Sequence, residues 1–277
     1  MMRSLVQVIR AQPTQDGAGV KIHRVAGQAL NAILDPFLMI DEINSDNADD
    51  YIAGFPEHPH RGFETITYMK AGKMRHRDHM GNEGVIESGG VQWMTAGRGV
   101  LHSEIPEQES GLLHGFQIWL NLPSNQKMID PDYKDIRADV MGRVVSDGVA
   151  DLRVVAGQLG VFGEVLDGPM RGRMTQPLIA DLEIAPDQSV SLNTDLYDSV
   201  LVLVYRGQTS ELSTKTLGVY GPGSELCLRS GEEGASALIL AGKPLKEPIV
   251  QYGPFVMNTE QQIRDAIMDY RAGRLAG

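Results

Sequence analysis

His58-Pro59-His60 and His102-Ser103-Glu104 set three imidazoles and one carboxylate in two pairs, each with a single residue between its members. On an extended strand, residues i and i+2 project from the same face. Two such pairs on neighbouring strands would aim four donor groups at one point. That set suits a divalent transition metal, with coordination positions left for water or a substrate. The combination carries the reading, since either pair alone is weak. About four strands' worth of sequence lies between the pairs, enough to circle back to the same rim.

Other candidates are weighed against the same template. Glu64 follows His60 by four residues, but Arg61-Gly62 interrupts the alternation, and a glycine often marks a bulge. Glu64 is therefore expected to be supporting or structural. His76 and His79 flank Arg77-Asp78 near a turn and are expected to be solvated or hydrogen-bonded rather than ligands. His23 and His114 have no ligand-like partner at useful spacing. Cys227 sits between Leu226 and Leu228 and reads as a small core residue. All seven histidines lie within the first 114 residues, so an imidazole-based site belongs to the first half of the chain.

The elements that must position these groups are short strands. Val6–Ile9, Val20–Ile22, Phe37–Ile40 and Thr65–Met69 are apolar runs separated by turn signals such as Ala71-Gly72-Lys73 and Gly97-Arg98-Gly99. Pro59 cannot donate to a ladder, so His58 and His60 should lie at a strand end or barrel mouth. A second series covers Arg153–Ala156, Leu178–Ile184, Ser199–Tyr205 and Ala235–Leu240. Close, regular spacing of strands points to antiparallel barrels or sandwiches. Polar residues 128–139 read as the connection, which gives two tandem units, 1–140 and 141–277. One helix is expected near the C-terminus, capped by Thr259 with Gln262 and carrying the stripe Ile263, Ala266, Ile267 and Tyr270 before Gly273.

Composition sets the outer limits. The 277 residues suffice for one large domain or two moderate ones, and 42% hydrophobic with 22% charged residues is ordinary for a globular protein. A net charge of -11 argues against a direct grip on nucleic acid or an anionic membrane. A single cysteine excludes an internal disulfide and fits a reducing compartment. Residues 1–19 lack the apolar core of a secretory signal, and no stretch approaches the ~18 apolar residues of a membrane span. A cytoplasmic protein without membrane contact is expected.

At the chemistry-bearing residues the chain resembles the pirin family of the cupin superfamily. HPHRGFETITYMKAG (58–72) and QWMTAGRGVLHSE (92–104) are similar to its two cupin motifs. GFQIWLNLP (115–123) and the segment 243–273 extend the likeness over nearly the whole chain. One departure is Gly90, where relatives often carry aspartate. The resemblance implies an all-β bicupin: two tandem antiparallel cupin barrels with a C-terminal helix. It implies one metal in the N-terminal barrel on His58, His60, His102 and Glu104, and none in the second barrel. Ferrous iron is the first expectation, with manganese, cobalt, nickel, copper or zinc compatible with the donors.

Some pirins resemble quercetinases, which open the central ring of a flavonol with dioxygen and release carbon monoxide and a depside. The resemblance thus implies a quercetin 2,3-dioxygenase-like enzyme whose partners are a flavonol-like small molecule and dioxygen. Glu104 would take the proton of the flavonol 3-hydroxyl. Phe55 and Trp93 are candidates for an aromatic pocket wall. The alternative is a non-catalytic regulator, binding a transcription factor or metabolic enzyme according to the oxidation state of its iron.

Overall fold

The computed structural model describes residues 1–277, except the side chain of Gln28. Strand β1 (Leu5–Arg10) precedes β2 (Gln12–Asp16), β3 (Val20–Ala26), β4 (Phe37–Ser45), β5 (Phe55–His60) and β6 (Phe63–Ala71). There follow β7 (Met74–Asp78), β8 (Glu83–Ile86), β9 (Val91–Thr95), β10 (Val100–Pro106), β11 (Leu113–Asn121) and β12 (Asp132–Ile136). A one-turn helix α1 (Asn31–Leu34) lies before β4, and α2 (Glu260–Arg271) lies near the C-terminus.

Two compact units emerge, each built from two separated stretches of the sequence: Met1–Ala11 with Asp139–Pro244, and Gln12–Ala138 with Leu245–Gly277. The linear division into 1–140 and 141–277 differs from this at both termini. Strand β1 pairs antiparallel with Thr216–Tyr220 of the later unit. Helix α2 instead joins the unit of the histidine pairs, where Ile263 and Ala266 cluster with Phe255, Met257 and Leu275, with Leu101 of β10 packed against them. An apolar stripe seeks whichever surface leaves it driest, and sequence distance does not enter that choice. The Thr259–Gln262 capping box is present as read from sequence. Tyr270 departs from the expected stripe, being 45% exposed.

The histidine-bearing unit contains, among the described residues, a seven-stranded sheet in the order β12-β9-β6-β11-β4-β3-β2 and a four-stranded sheet in the order β5-β10-β7-β8. Central β6 and β9 are buried almost throughout, whereas edge strand β2 is exposed along its length. Pro13 in β2 fits that edge, because a ladder interior needs the N–H that proline lacks. Residues 128–139 are more than a connection: β12 pairs with β9 there. The other unit is a ten-stranded antiparallel assembly, among the described residues, with a core of aliphatic side chains such as Leu152, Leu182, Val202 and Ile239.

The turn after His60 is tightly held. Gly62 has φ +93, and a Cβ there would meet the Val256 carbonyl oxygen at 2.0 Å, so only glycine fits. The buried Lys127 ammonium donates to the carbonyls of Gly62 (2.7 Å) and Val256 (3.1 Å) and to Asn121 Oδ1 (2.6 Å). Burial pulls this lysine down to about 7, with Glu247 acting in the opposite direction. Lys127→Met should cost about 2–4 kcal/mol by leaving buried acceptors unpaired. Between about pH 7 and 10 the unfolded chain holds a proton here that the folded chain does not, so stability should rise with pH across that window. Urea denaturation at pH 7 and 9 should show this rise reduced in Lys127→Met; equal pH slopes in the two proteins would contradict the account.

Candidate metal centre

Strands β5 and β10 are direct antiparallel neighbours, with His102 opposite His58 and Val100 opposite His60. Alternation on each strand then brings the three imidazoles to one place. One nitrogen from each of His58, His60 and His102 lies within 4.8 Å of the others. His60 and His102 are buried and His58 is partly so. Desolvation, then the neighbouring imidazoles, holds His60 and His102 well below their ordinary values. Both are therefore neutral near pH 7, the form in which a histidine nitrogen binds metal.

The hydrogen bonds select which nitrogen faces inward. His58 Nδ1 lies 2.8 Å from the Pro56 carbonyl and His60 Nδ1 lies 3.4 Å from that of Pro254. Carbonyls accept only, so each ring places a proton on Nδ1, and in the form that binds metal its Nε2 is bare. The two Nε2 lone pairs then face one another at 3.1 Å. His102 Nε2 is buried with no hydrogen-bond partner. Such an unsatisfied acceptor is costly in a protein interior. A cation bound by these nitrogens would satisfy all three, so the residues present fit a metal.

Glu104 stands apart from that group. The ladder between β5 and β10 shifts between His102 and Glu104. Glu104 is 4% exposed, and its Oε1 lies 2.7 Å from the Thr67 hydroxyl while its Oε2 accepts from Gln117 Nε2 at 3.3 Å. Thr67 Oγ1 also lies 2.6 Å from Gln117 Oε1, with one proton to give to either oxygen. Glu64 is turned to Thr95, whose hydroxyl donates to its Oε1 at 2.7 Å. His79 is exposed. His114 Nε2 lies 3.1 Å from Glu42 Oε1.

His76 is hydrogen-bonded, as one of its two sequence readings had it, rather than solvated. It is fully buried, with Nδ1 3.4 Å from His102 Nδ1 and Nε2 3.4 Å from Asp78 Oδ2. Asp78 is in turn fixed by the backbone amides of Met80 and Asn82 and by Asn82 Nδ2. With the His76 proton on Nε2 toward the carboxylate, its Nδ1 accepts from His102 and leaves His102 Nε2 bare. The i, i+2 spacing of His76 and Asp78 on β7 was visible in sequence. That β7 lies beside β10 was not. Asp78→Asn should weaken metal binding by about 10–100-fold, as loss of a ligand-orienting partner does. Chelator competition measures this; unaltered affinity would leave Asp78 a turn residue only.

His58, His60 and Glu104 open on a cavity of about 910 Å³. His58, His60, Glu104 and Gln117 contribute to its wall, with Phe55 and Trp119 among its apolar lining. Phe55 is thus a wall residue, as expected. Trp93 is buried elsewhere, because it alternates with Gln92, whose partner Thr67 faces Glu104. Trp119 shares a face with Gln117 on β11 and takes that place, its ring 5.3 Å from that of His60. Arg24, Asp41 and Asp16 line the cavity too. Burial pushes the Asp41 carboxyl up to about 6, and its hydrogen bonds to Arg24 pull it back.

The family model Pirin matches residues 19–120, and the model Pirin C-terminal cupin domain matches residues 179–276. A Pseudomonas aeruginosa protein bearing the name "Putative quercetin 2,3-dioxygenase" is 44% identical over 99% of this chain and 98% of its own length. The crystal structure of a quercetin 2,3-dioxygenase from Acinetobacter baumannii superposes with a TM-score of 0.89 at 32% identity, covering 100% of this chain and 99% of that one. A bacterial pirin of Escherichia coli, solved in complex with nickel(II), has a TM-score of 0.62 at 18% identity, over 86% of this chain and 98% of its own. At that identity it speaks for the fold alone. Among the described residues no helix is long and apolar enough to cross a membrane.

Proposed function

The chain belongs to the pirin family, and from that membership we propose that it is a metal-dependent dioxygenase that opens the central ring of a flavonol of the quercetin type. The observation that carries this reading is the cavity itself. Its ~910 Å³ falls within the range of small-molecule sites, and its wall joins His58, His60 and Glu104 to an apolar body. The names carried by the relatives in Pseudomonas and Acinetobacter support the same chemistry.

In this reading His58, His60 and His102 hold the metal through Nε2, and Glu104 completes the donor set. Iron in the ferrous state is the first expectation for these ligands. The metal supplies Lewis acidity and the redox capacity that couples dioxygen to an organic substrate. The protein does the rest. Phe55 and Trp119 offer faces against which a flat polyphenol can lie, and their bulk keeps water from the reacting ring. Glu104 takes the proton of the 3-hydroxyl, its carboxylate aimed by Thr67 and Gln117. The overall change adds both oxygen atoms of dioxygen to the ring carbons and expels carbon monoxide, leaving a depside.

Oxygen uptake by the iron-reconstituted protein with quercetin, with carbon monoxide trapped, tests the reading beside a His58→Ala control. Metal-dependent uptake with carbon monoxide release is expected. No uptake from protein confirmed to hold ferrous iron would overturn it and favour the redox-sensing regulator, to be sought by partner capture in both iron states.

A further inference from the structure

Four adjacent strands carry a row of polar side chains across the inner face of the seven-stranded sheet. Thr67 of β6 is opposite Gln117 of β11, Gln117 is opposite Asp41 of β4, and Asp41 is opposite Arg24 of β3. Directly opposed residues share a face. The row therefore runs from the partners of Glu104 to Arg24 and Asp41, which line the same cavity together with Asp16. Arg24 Nε and Nη2 donate to the two Asp41 oxygens at 2.8 and 2.6 Å, and Nη2 also donates to Asp16.

An ion pair whose only task is to join strands needs no cavity beside it. Here it has capacity to spare. Arg24 Nη1 makes no hydrogen bond among the described residues, so two N–H donors remain. A carboxylate accepts about four hydrogen bonds. Asp41 receives two from Arg24; Asp16 receives one from Arg24 and one from the Gly17 amide. The Asp16 side chain is 49% exposed, so its remaining lone pairs can be reached.

Charge decides which ligand suits this wall. Two carboxylates and one guanidinium sum to one net negative charge at this wall, whereas Glu104 would be offset by the divalent cation on the histidines. An anionic group would be repelled from this wall and drawn to the cation instead. A purely apolar group would strip water from Arg24 and the carboxylates without replacing those hydrogen bonds. A neutral hydroxyl both donates and accepts, and matches mixed donors and acceptors. Ile22, Met39 and Ile43 lie on the same strands as the row and supply apolar surface for the ring that carries such hydroxyls.

We propose that Arg24, Asp41 and Asp16 form a hydroxyl-reading subsite that selects flavonol-like aromatic substrates bearing neutral hydroxyl groups besides the one that reacts. This subsite rests on the dioxygenase reading for its substrate and assigns its specificity. It touches hydroxyls other than the one that loses its proton. Its effect is therefore on binding and discrimination, and the rate of the chemical step is left to Glu104 and the metal.

The test is equilibrium binding to the metal-loaded protein, read by fluorescence quenching, of quercetin, galangin and 3-hydroxyflavone. All three keep the 3-hydroxyl. They differ in the hydroxyls on the other rings. The wild-type protein should bind quercetin about tenfold or more tightly than 3-hydroxyflavone, the worth of one to two hydrogen bonds. Because Asp41→Asn alone leaves Arg24 poorly paired, the main variant is the double change Arg24→Met with Asp41→Leu. Replacing both partners of a buried pair by apolar groups of similar size is often neutral for stability. Asp16→Asn serves as a mild second variant at an exposed position.

Loss of the preference in the double variant, with 3-hydroxyflavone binding retained, and a partial loss in Asp16→Asn support the subsite. A preference absent in the wild type, or undiminished in the double variant, overturns the subsite and leaves the dioxygenase reading standing. Binding with the expected preference but without oxygen uptake supports the subsite and removes the catalytic reading. Failure of the wild-type protein to bind any of the three overturns both.

Discussion

Replacing Glu104 with glutamine is expected to slow flavonol turnover by roughly 10²–10⁴-fold, the usual worth of a positioned proton acceptor, while leaving the fold intact. The variant is informative because the surroundings tolerate it. An amide has the shape of a carboxylate, and its oxygen can still accept from the Thr67 hydroxyl that lies 2.7 Å from Glu104. Its nitrogen can donate to Gln117 once the Gln117 amide rotates by half a turn, which exchanges Oε1 and Nε2 at little steric cost. The ring of three polar groups then stays fully hydrogen-bonded, so no buried group is orphaned. What disappears is the capacity to take a proton. Since Glu104 is also proposed as a ligand, metal content must be measured beside rate, and single-turnover rates compared at full occupancy. An undiminished single-turnover rate at full occupancy would remove Glu104 from the proton-transfer role.

His102→Ala is expected to abolish the stabilisation that a divalent metal confers on the wild-type protein. A ligand present at about 1,000 times its dissociation constant stabilises the state it binds by about 4 kcal/mol. That is readily seen as a rise in thermal midpoint on adding metal. His102 is the most telling of the three histidines because its Nε2 is buried without a partner. Its removal takes away one donor and the acceptor that a metal would satisfy. The loss of affinity should exceed the roughly 10–100-fold expected for Asp78→Asn, which reaches His102 only by way of His76. This readout requires no substrate, and so it separates failure to hold metal from failure to turn over. A variant whose midpoint rises with metal as much as the wild type would show that the cation binds elsewhere.

The two experiments bear on different parts of the site. His102 belongs to the compact histidine group, whose geometry follows from two adjacent strands. Glu104 lies beyond a register shift and is held by side chains of β6 and β11. Loss of metal binding in His102→Ala together with retained binding in Glu104→Gln would assign metal capture to the histidines and chemistry to the carboxylate.

The amino-acid sequence by itself determined everything about this site that depends on a period of two residues. His58 and His60 had to share a face, as did His102 and Glu104, and the all-β frame followed from the short strands that surround them. The same local logic located α2, because Thr259 and Gln262 stand one turn apart and need nothing beyond that turn to cap it. Gly62 likewise announced the break after His60, and the structure shows why no side chain fits there.

Only the tertiary structure decided which strands became neighbours and in what register. That choice buried His76 against His102, turned Glu104 toward Thr67 and Gln117, and lined up Arg24, Asp41 and Gln117 on one cavity wall. It also placed Trp119 on the cavity in preference to Trp93 and drew β1 and α2 into units remote from them in sequence. The physical reason is common to all of these. Periodicity along a strand is set by backbone geometry a few residues long, whereas pairing between strands is set by burial and hydrogen bonding summed over the whole sheet.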